Sequence, residues 1–188
     1  MPIPKNIHQV WINHIDIPLD LYDLSDMQSW KILNPEWKYW LWDRTLCDNI
    51  ITTFFPEIAF IYSKVSYGLK SDICRVALLI LFGGIYADLD TKCLKSFDAL
   101  TDEIKTIRNE GNSFIMSPVQ SVYLKLFMEH IIKNHDFRRD NKFAGPSAYE
   151  DFERTLDTTD ILSKRGHYCE RIGYADLDIY AIHTSKTY

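Results

Sequence analysis

The stretch from Tyr67 to Asp98, YGLKSDICRVALLILFGGIYADLDTKCLKSFD, constrains the fold more than any other part of the chain. It reads as an apolar helix, a Gly-Gly break, a short apolar strand, and an acidic Asp88-Leu89-Asp90 at the strand's end. On an extended backbone side chains alternate between faces, so Asp88 and Asp90 are expected on one side. Two carboxylates placed that way make a hard-oxygen site for Mg²⁺ or Mn²⁺, ions that keep open positions for water and phosphate oxygens. In the preceding helix Asp72 and Arg75 stand three residues apart and share a face. Arg75 is flanked by Ile73, Cys74, Val76, Ala77, Leu78 and Leu79, and an unpaired buried guanidinium is costly, so it requires an acidic partner.

Each piece has a plainer reading. D-x-D is common in surface turns. Asp72 follows Ser71, a good N-cap, so its carboxylate can simply complement the helix dipole. Gly83-Gly84 can be an ordinary helix stop, and Arg75 can pair with any structural carboxylate. The ordered combination S-D-x-x-R, apolar run, G-G-x-Y-x-D-x-D is far more specific than its parts.

Composition bounds the class. A chain of 188 residues with 46% hydrophobic and 25% charged residues reads as one soluble compact domain, 1–188. A net charge of −5 and the lack of a basic tract argue against nonspecific nucleic-acid binding. The longest apolar run, Ile73 to Ile85, is interrupted by Arg75 and two glycines and falls short of the roughly 20 residues of a membrane span. MPIPKNIHQVWI lacks the layout of a signal peptide, and Cys47, Cys74, Cys93 and Cys169 show no C-x-x-C spacing. Reduced thiols and a cytoplasmic location are the expectation.

Strands are expected at Asn6–Ile12, Lys38–Trp42, Thr91–Leu94 and Asn112–Met116. Helices are expected at Tyr22–Leu33, from an Asp43 N-cap to Thr53, and at Pro56–Lys64, Val122–Asn134 and Tyr149–Leu156. Trp37, Trp40 and Trp42 are expected in the core on both faces of a covered parallel sheet. His8 is expected as a satisfied core histidine. YADLD recurs at Tyr174–Asp178 without any longer self-similarity, which reads as coincidence. Strands alternating with helices, with acidic residues beyond a strand's carboxyl end, argue for an α/β fold whose mostly parallel central sheet is flanked by helices.

The combined motif, with PKNIHQVW near the start, NPEWKYWLWD, NSFIMSP and the AGP turn at Gly145, resembles the DXD-containing glycosyltransferase sugar-binding-region family. That family includes fungal mannosyltransferases and the glucosylating clostridial toxins. The resemblance implies a GT-A-type nucleotide-sugar fold. It also implies a metal-dependent, configuration-retaining hexosyltransferase with a GDP- or UDP-linked donor and a glycan, lipid or protein acceptor. By resemblance Asp90 ligates Mn²⁺ or Mg²⁺, and Asp88 touches the metal or the donor's ribose. Asp72 would hold the sugar hydroxyls, and Arg75 would brace sugar or phosphate. Trp11 then stacks on the base, or else is a core tryptophan. Gly145 lets the backbone approach the donor at a helix start, or else marks a plain turn. His183, in a stretch where relatives carry H-x-x-x-S-W, stands as a third metal ligand, although the Trp is missing here.

Two other readings compete. IYADLDTK also fits the D-x-D-x-T of haloacid-dehalogenase-type phosphatases, with Asp88 as nucleophile. That motif normally sits near the N-terminus, and the downstream lysine and Asp-Asp pair are absent. A non-catalytic sugar-binding domain on the same fold is the other alternative.

Overall fold

A computed structural model describes residues 2–12, 24–103, 105–109, 111–137, 143–156, 169–172 and 180–184. In chain order the elements are β1 (Asn6–Trp11), α1 (Ser25–Leu33), β2 (Lys38–Asp43), α2 (Arg44–Phe54), α3 (Pro56–Lys64), α4 (Tyr67–Phe82), β3 (Gly84–Ala87) and β4 (Thr91–Cys93). They continue with β5 (Thr106–Asn109), β6 (Phe114–Ser117), α5 (Val122–Asn134), α6 (Pro146–Thr155), β7 (Cys169–Ile172) and β8 (Ala181–His183). The main sheet runs β2-β1-β3-β6-β5-β7, and β4 pairs with β8 in a second, two-stranded ladder. β1 lies parallel to β2 and β3, and β5 lies parallel to β7, while β6 runs against both of its neighbours.

Alternation along the strands divides the core into two layers. Val10, Trp42, Tyr86 and Ile115 face a layer built from α2 to α6, centred on the fully buried Ile73, Val76 and Ala77 of α4. Ile7, Ile85, Ala87, Phe114 and Met116 face the other way, onto Trp30 of α1, Trp37 and Phe97. This is the covered α/β sheet expected from the pattern of elements.

The Gly-Gly break has a steric cause. Gly83 and Gly84 have φ of 58° and 99°, and a Cβ on Gly84 would stand 2.3 Å from the Asn6 carbonyl oxygen. Only glycine lets the chain leave α4 and enter β3 this close to β1. Asn6 Nδ2 seals the junction by donating to Phe82 O at 3.0 Å. His8 adds a second seal. It accepts from Trp42 Nε1 at Nδ1 (3.1 Å), so Nε2 carries the proton and donates to Gly83 O at 3.0 Å. Burial lowers its pKa to about 4 against the Gly83 hydrogen bond, which keeps the ring neutral as a satisfied core histidine. Asp43 caps α2 as expected, accepting from the Leu46 N–H at 2.8 Å.

Several expectations need correction. The strand expected from Asn112 begins at Phe114, because Asn112 sits in a turn with φ of 57°. Trp40 is 46% exposed, whereas Trp37 and Trp42 are buried: β2 is an edge strand, and Trp40 stacks from outside onto Trp42. Within the expected first helix, residues 22 and 23 lie outside the described residues, as does the repeated YADLD at 174–178.

Candidate active site

The helix α4 starts after Ser66, not at Ser71. Asp72 therefore lies in the second turn of the helix, past the unpaired N–H groups, and a helix-dipole role does not account for it. It faces Arg75 instead. Arg75 Nη2 lies 3.0 Å from Asp72 Oδ1 and 3.3 Å from Asp88 Oδ1. Arg75 Nη1 donates to the Asn112 carbonyl at 2.5 Å, and the guanidinium sits over the Tyr86 ring at 4.5 Å. The Tyr86 hydroxyl donates to Asp88 Oδ1 at 2.6 Å. One buried arginine thus joins the acidic helix residue to the first DXD carboxylate.

These contacts set the charges. Burial alone would lower the Arg75 pKa, but Asp88, Tyr86 and Asp72 outweigh it and hold the side chain cationic. Burial raises the Asp72 carboxyl to about 6, with Arg75 opposing that shift and Asp88 adding to it. Asp72 is thus an anionic acceptor at neutral pH, and it gains a proton under mild acid.

The DXD segment is a tight turn rather than an extended strand end. β3 stops at Ala87, and the Thr91 N–H donates to the Asp88 carbonyl at 3.0 Å. The alternation argument for placing Asp88 and Asp90 on one side therefore does not hold, and the turn diverts β4 out of the main sheet. The turn is anchored from four directions. Gln9 Nε2 donates to Asp88 O at 3.0 Å, the Asp88 N–H donates to Ser113 O at 2.8 Å, and Trp30 Nε1 donates to Thr91 O at 2.6 Å. From the far end of the chain, Thr184 donates to Asp90 O through its N–H (2.7 Å) and its hydroxyl (2.8 Å), and that hydroxyl also reaches Asp26 Oδ2 of α1 at 2.6 Å.

The register of the β4·β8 ladder puts His183 opposite Thr91, so the backbone of the expected third ligand runs beside the DXD turn. Trp11 ends β1 half-buried. The parallel register that pairs His8 with Tyr86 carries Trp11 to the level of the turn. Gly145 is the N-cap of α6, with φ of −81° and ψ of −163°, an extended conformation open to any residue. Its helix reaches the site indirectly. Glu153 Oε1 accepts from Arg108 Nη2 at 2.8 Å and from the Tyr123 hydroxyl at 2.6 Å, and Arg108 Nη1 contacts Asn112 Oδ1 at 3.4 Å.

The donor set suits a hard divalent cation. Among the described residues no three His, Cys, Asp or Glu side chains gather as a metal cluster. The turn carboxylates would supply hard oxygen ligands, with water and phosphate available to complete the shell, as Mg²⁺ and Mn²⁺ accept. Asp72 and Asp88 against the Arg75 they share leave one net negative charge, which would repel a diphosphate in the absence of a cation.

Tyr86, Gln9 and Asn112 are the site residues that sequence reasoning did not single out. Tyr86 and Asn112 stand inside recognised motifs, G-G-x-Y-x-D-x-D and NSFIMSP, whereas the Gln9 contact has no local signal.

Residues 22–107 match the profile of the glycosyltransferase sugar-binding region containing a DXD motif. An uncharacterized glycosyltransferase of Acanthamoeba polyphaga mimivirus is 28% identical over 97% of this chain and 82% of its own length. Inositol phosphoceramide mannosyltransferase 3 of Schizosaccharomyces pombe is 31% identical over 62% of this chain and 32% of its own length. The initiation-specific alpha-1,6-mannosyltransferase of Candida albicans is 32% identical over 59% and 30%. The chain spans about a third of the length of these fungal relatives. Among solved structures, the PaToxG glycosyltransferase aligns with a TM-score of 0.61 at 22% identity, over 85% of this chain and 71% of its own. The catalytic domain of alpha-toxin from Clostridium novyi aligns at 0.51 with 11% identity, over 81% and 61%. The fold is of the GT-A type, and over residues 22–107 the chain is similar to the sugar-binding region of DXD-containing glycosyltransferases.

Proposed function

We propose that the protein transfers a hexose from a nucleotide sugar to an acceptor hydroxyl, using a divalent cation and retaining anomeric configuration. The observation that carries this reading is the double ion pair of Arg75 with Asp72 and Asp88. It brings the two separated halves of the family motif into one acidic site that opens to solvent at Asp88, whose side chain is 26% exposed.

Asp90 and Asp88 would hold Mn²⁺ or Mg²⁺, with His183 as a third ligand. When bound, the ion supplies Lewis-acid stabilisation of the charge that grows on the departing nucleoside diphosphate. The Asp72 carboxylate accepts hydrogen bonds from donor-sugar hydroxyls. Arg75, fixed by its two ion pairs, holds that carboxylate in orientation and braces the sugar or its phosphate. Trp11 offers its indole to the base from the end of β1. The N-terminus of α6 at Gly145 presents backbone N–H groups toward the donor.

The fungal relatives named above are mannosyltransferases, and one acts on inositol phosphoceramide. GDP-mannose is therefore the first donor to test, UDP-glucose and UDP-galactose are the next, and the acceptor is a glycan, lipid or protein. The test is a thermal-shift panel of nucleoside diphosphates and nucleotide sugars with and without Mn²⁺, followed by product analysis by NMR for anomeric configuration. A Mn²⁺-dependent shift with one base identifies the donor. A response to phosphate analogues alone would move the reading to the phosphatase. Binding without turnover of any acceptor class would favour the sugar-binding domain.

A further inference from the structure

Two consecutive carbonyls in the turn between β5 and β6 hold both halves of the site. Asn112 O accepts from Arg75 Nη1 at 2.5 Å, and Ser113 O accepts from the Asp88 N–H at 2.8 Å. Asn112 has a φ of 57°, a left-handed conformation that asparagine tolerates better than most residues with a side chain. Its side chain is fully buried, with Nδ2 lacking a hydrogen-bond partner among the described residues and Oδ1 accepting a long hydrogen bond from Arg108 Nη1 at 3.4 Å. A buried donor left unsatisfied is unfavourable, and one long bond accepted from Arg108 offsets little of it, so the side chain is not the residue's main contribution. Its contribution is the backbone conformation that keeps the carbonyl on Arg75. Arg108, bonded to Glu153 and to the Asn109 carbonyl, braces the turn from the other side.

We propose that Asn112 is a positioning residue: its left-handed backbone aims a carbonyl at Arg75 and thereby sets the preference for a nucleotide sugar over the bare nucleoside diphosphate. This rests on the donor-bracing role of Arg75 given above. Arg75 has four restraints, namely two carboxylates, the Tyr86 ring and the Asn112 carbonyl. The first three are carried by α4 itself and by the β3 region. The fourth fixes the guanidinium relative to the β5–β6 turn.

The experiment compares Asn112→Gly, Asn112→Ala and Asn112→Val with wild type. One readout is the ¹⁵N resonance of the Arg75 guanidinium without ligand. The other is the ratio of the Kd values for GDP and GDP-mannose, and for UDP and UDP-glucose, by calorimetry with Mn²⁺. Glycine accepts the left-handed region and should keep both the resonance and the ratio within about twofold of wild type. Alanine and then valine should shift the resonance and lower the ratio progressively, by about tenfold for valine, while diphosphate affinity stays within about twofold. In an Arg75→Lys background the alanine substitution should change the ratio no further. Should valine prevent folding, the glycine–alanine pair and the double mutant decide. Equal losses for glycine and alanine, an unmoved Arg75 resonance, or a parallel fall in both affinities would overturn the proposal. If wild type shows no preference for any sugar-bearing ligand, the donor reading fails, and the ligand-free resonance still decides whether Asn112 positions Arg75.

Discussion

Arg75 Nη2 lies 3.3 Å from Asp88 Oδ1, and this contact ties the middle of α4 to the first carboxylate of the DXD turn. The pair is partly screened from water on the Asp88 side and fully enclosed on the Arg75 side, so the arginine cannot be removed without leaving buried negative charge. Arg75→Met should cost about 3–5 kcal/mol of unfolding free energy, because Asp72 and Asp88 lose their shared counter-charge. Urea denaturation at pH 7.5 measures it. A loss below about 1 kcal/mol would mean that the pair behaves as a surface ion pair.

Asp90→Asn is expected to abolish Mn²⁺-dependent donor turnover while moving the thermal midpoint little, since Asp90 is half-buried in the turn between β3 and β4 and the substitution keeps its size. The matched control is Asp178→Asn in the repeated YADLD, expected to leave most activity intact. Full turnover by a folded Asp90→Asn protein would remove the metal assignment.

Asp72 separates recognition of the sugar from recognition of the diphosphate. Its carboxylate is a charge-assisted acceptor, so Asp72→Asn should weaken nucleotide-sugar binding by roughly 1.5–3 kcal/mol, about tenfold or more, and leave the nucleoside diphosphate unaffected. Paired titrations on both proteins check this, and an equal change in the two ligands would rule out the sugar contact. With its pKa raised to about 6, the wild-type preference should also fall as pH drops through 6, and the variant should lack that step.

His8 and Asp72 bias acid stability in opposite directions. His8 titrates at about 4 in the folded state against 6.5 for the free side chain. The unfolded chain therefore binds its proton first, and stability is lost as pH falls from 6.5 to 4. Asp72 titrates at about 6 against 3.8, so the folded chain binds that proton first and stability is gained over nearly the same interval. Each effect is on the order of 3 kcal/mol at full extent. Denaturant midpoints between pH 7 and 4 should fall more steeply in Asp72→Asn than in wild type, and less steeply in His8→Gln. Parallel slopes in all three would refute the opposed titrations.

Trp11→Ala tests the base contact. If the indole faces the nucleobase, affinity for the free nucleoside diphosphate should fall by roughly 1–3 kcal/mol in a protein that still folds. Unchanged calorimetric affinity would return Trp11 to the core.

The helix, the glycine break and the acidic motif were readable because they are consecutive in sequence and each has a local physical cause. Asp72 and Arg75 share a helical face by spacing alone, and Gly84 is required by the approach of Asn6. The DXD backbone was misjudged because an apolar strand followed by alternating acids looks extended, and nothing local announces the Asp88–Thr91 turn bond. The role of the Asn112 carbonyl was equally hidden, since a main-chain acceptor has no letter in the sequence. Trp40 read as core because hydrophobicity does not reveal which strand ends at the sheet's edge.

Thr184 joins residues 94 and 158 positions away in the chain, Asp90 and Asp26 respectively. β4, which leads out of the DXD turn, finds its ladder partner only in β8 among the described residues. During synthesis the elements from β1 to α6 can therefore collapse and bury Arg75 before the DXD turn receives the Thr184 brace. A nascent chain stalled before residue 181 would hold a folded sheet with an unfinished site, so the order of translation separates the birth of the fold from the birth of its function.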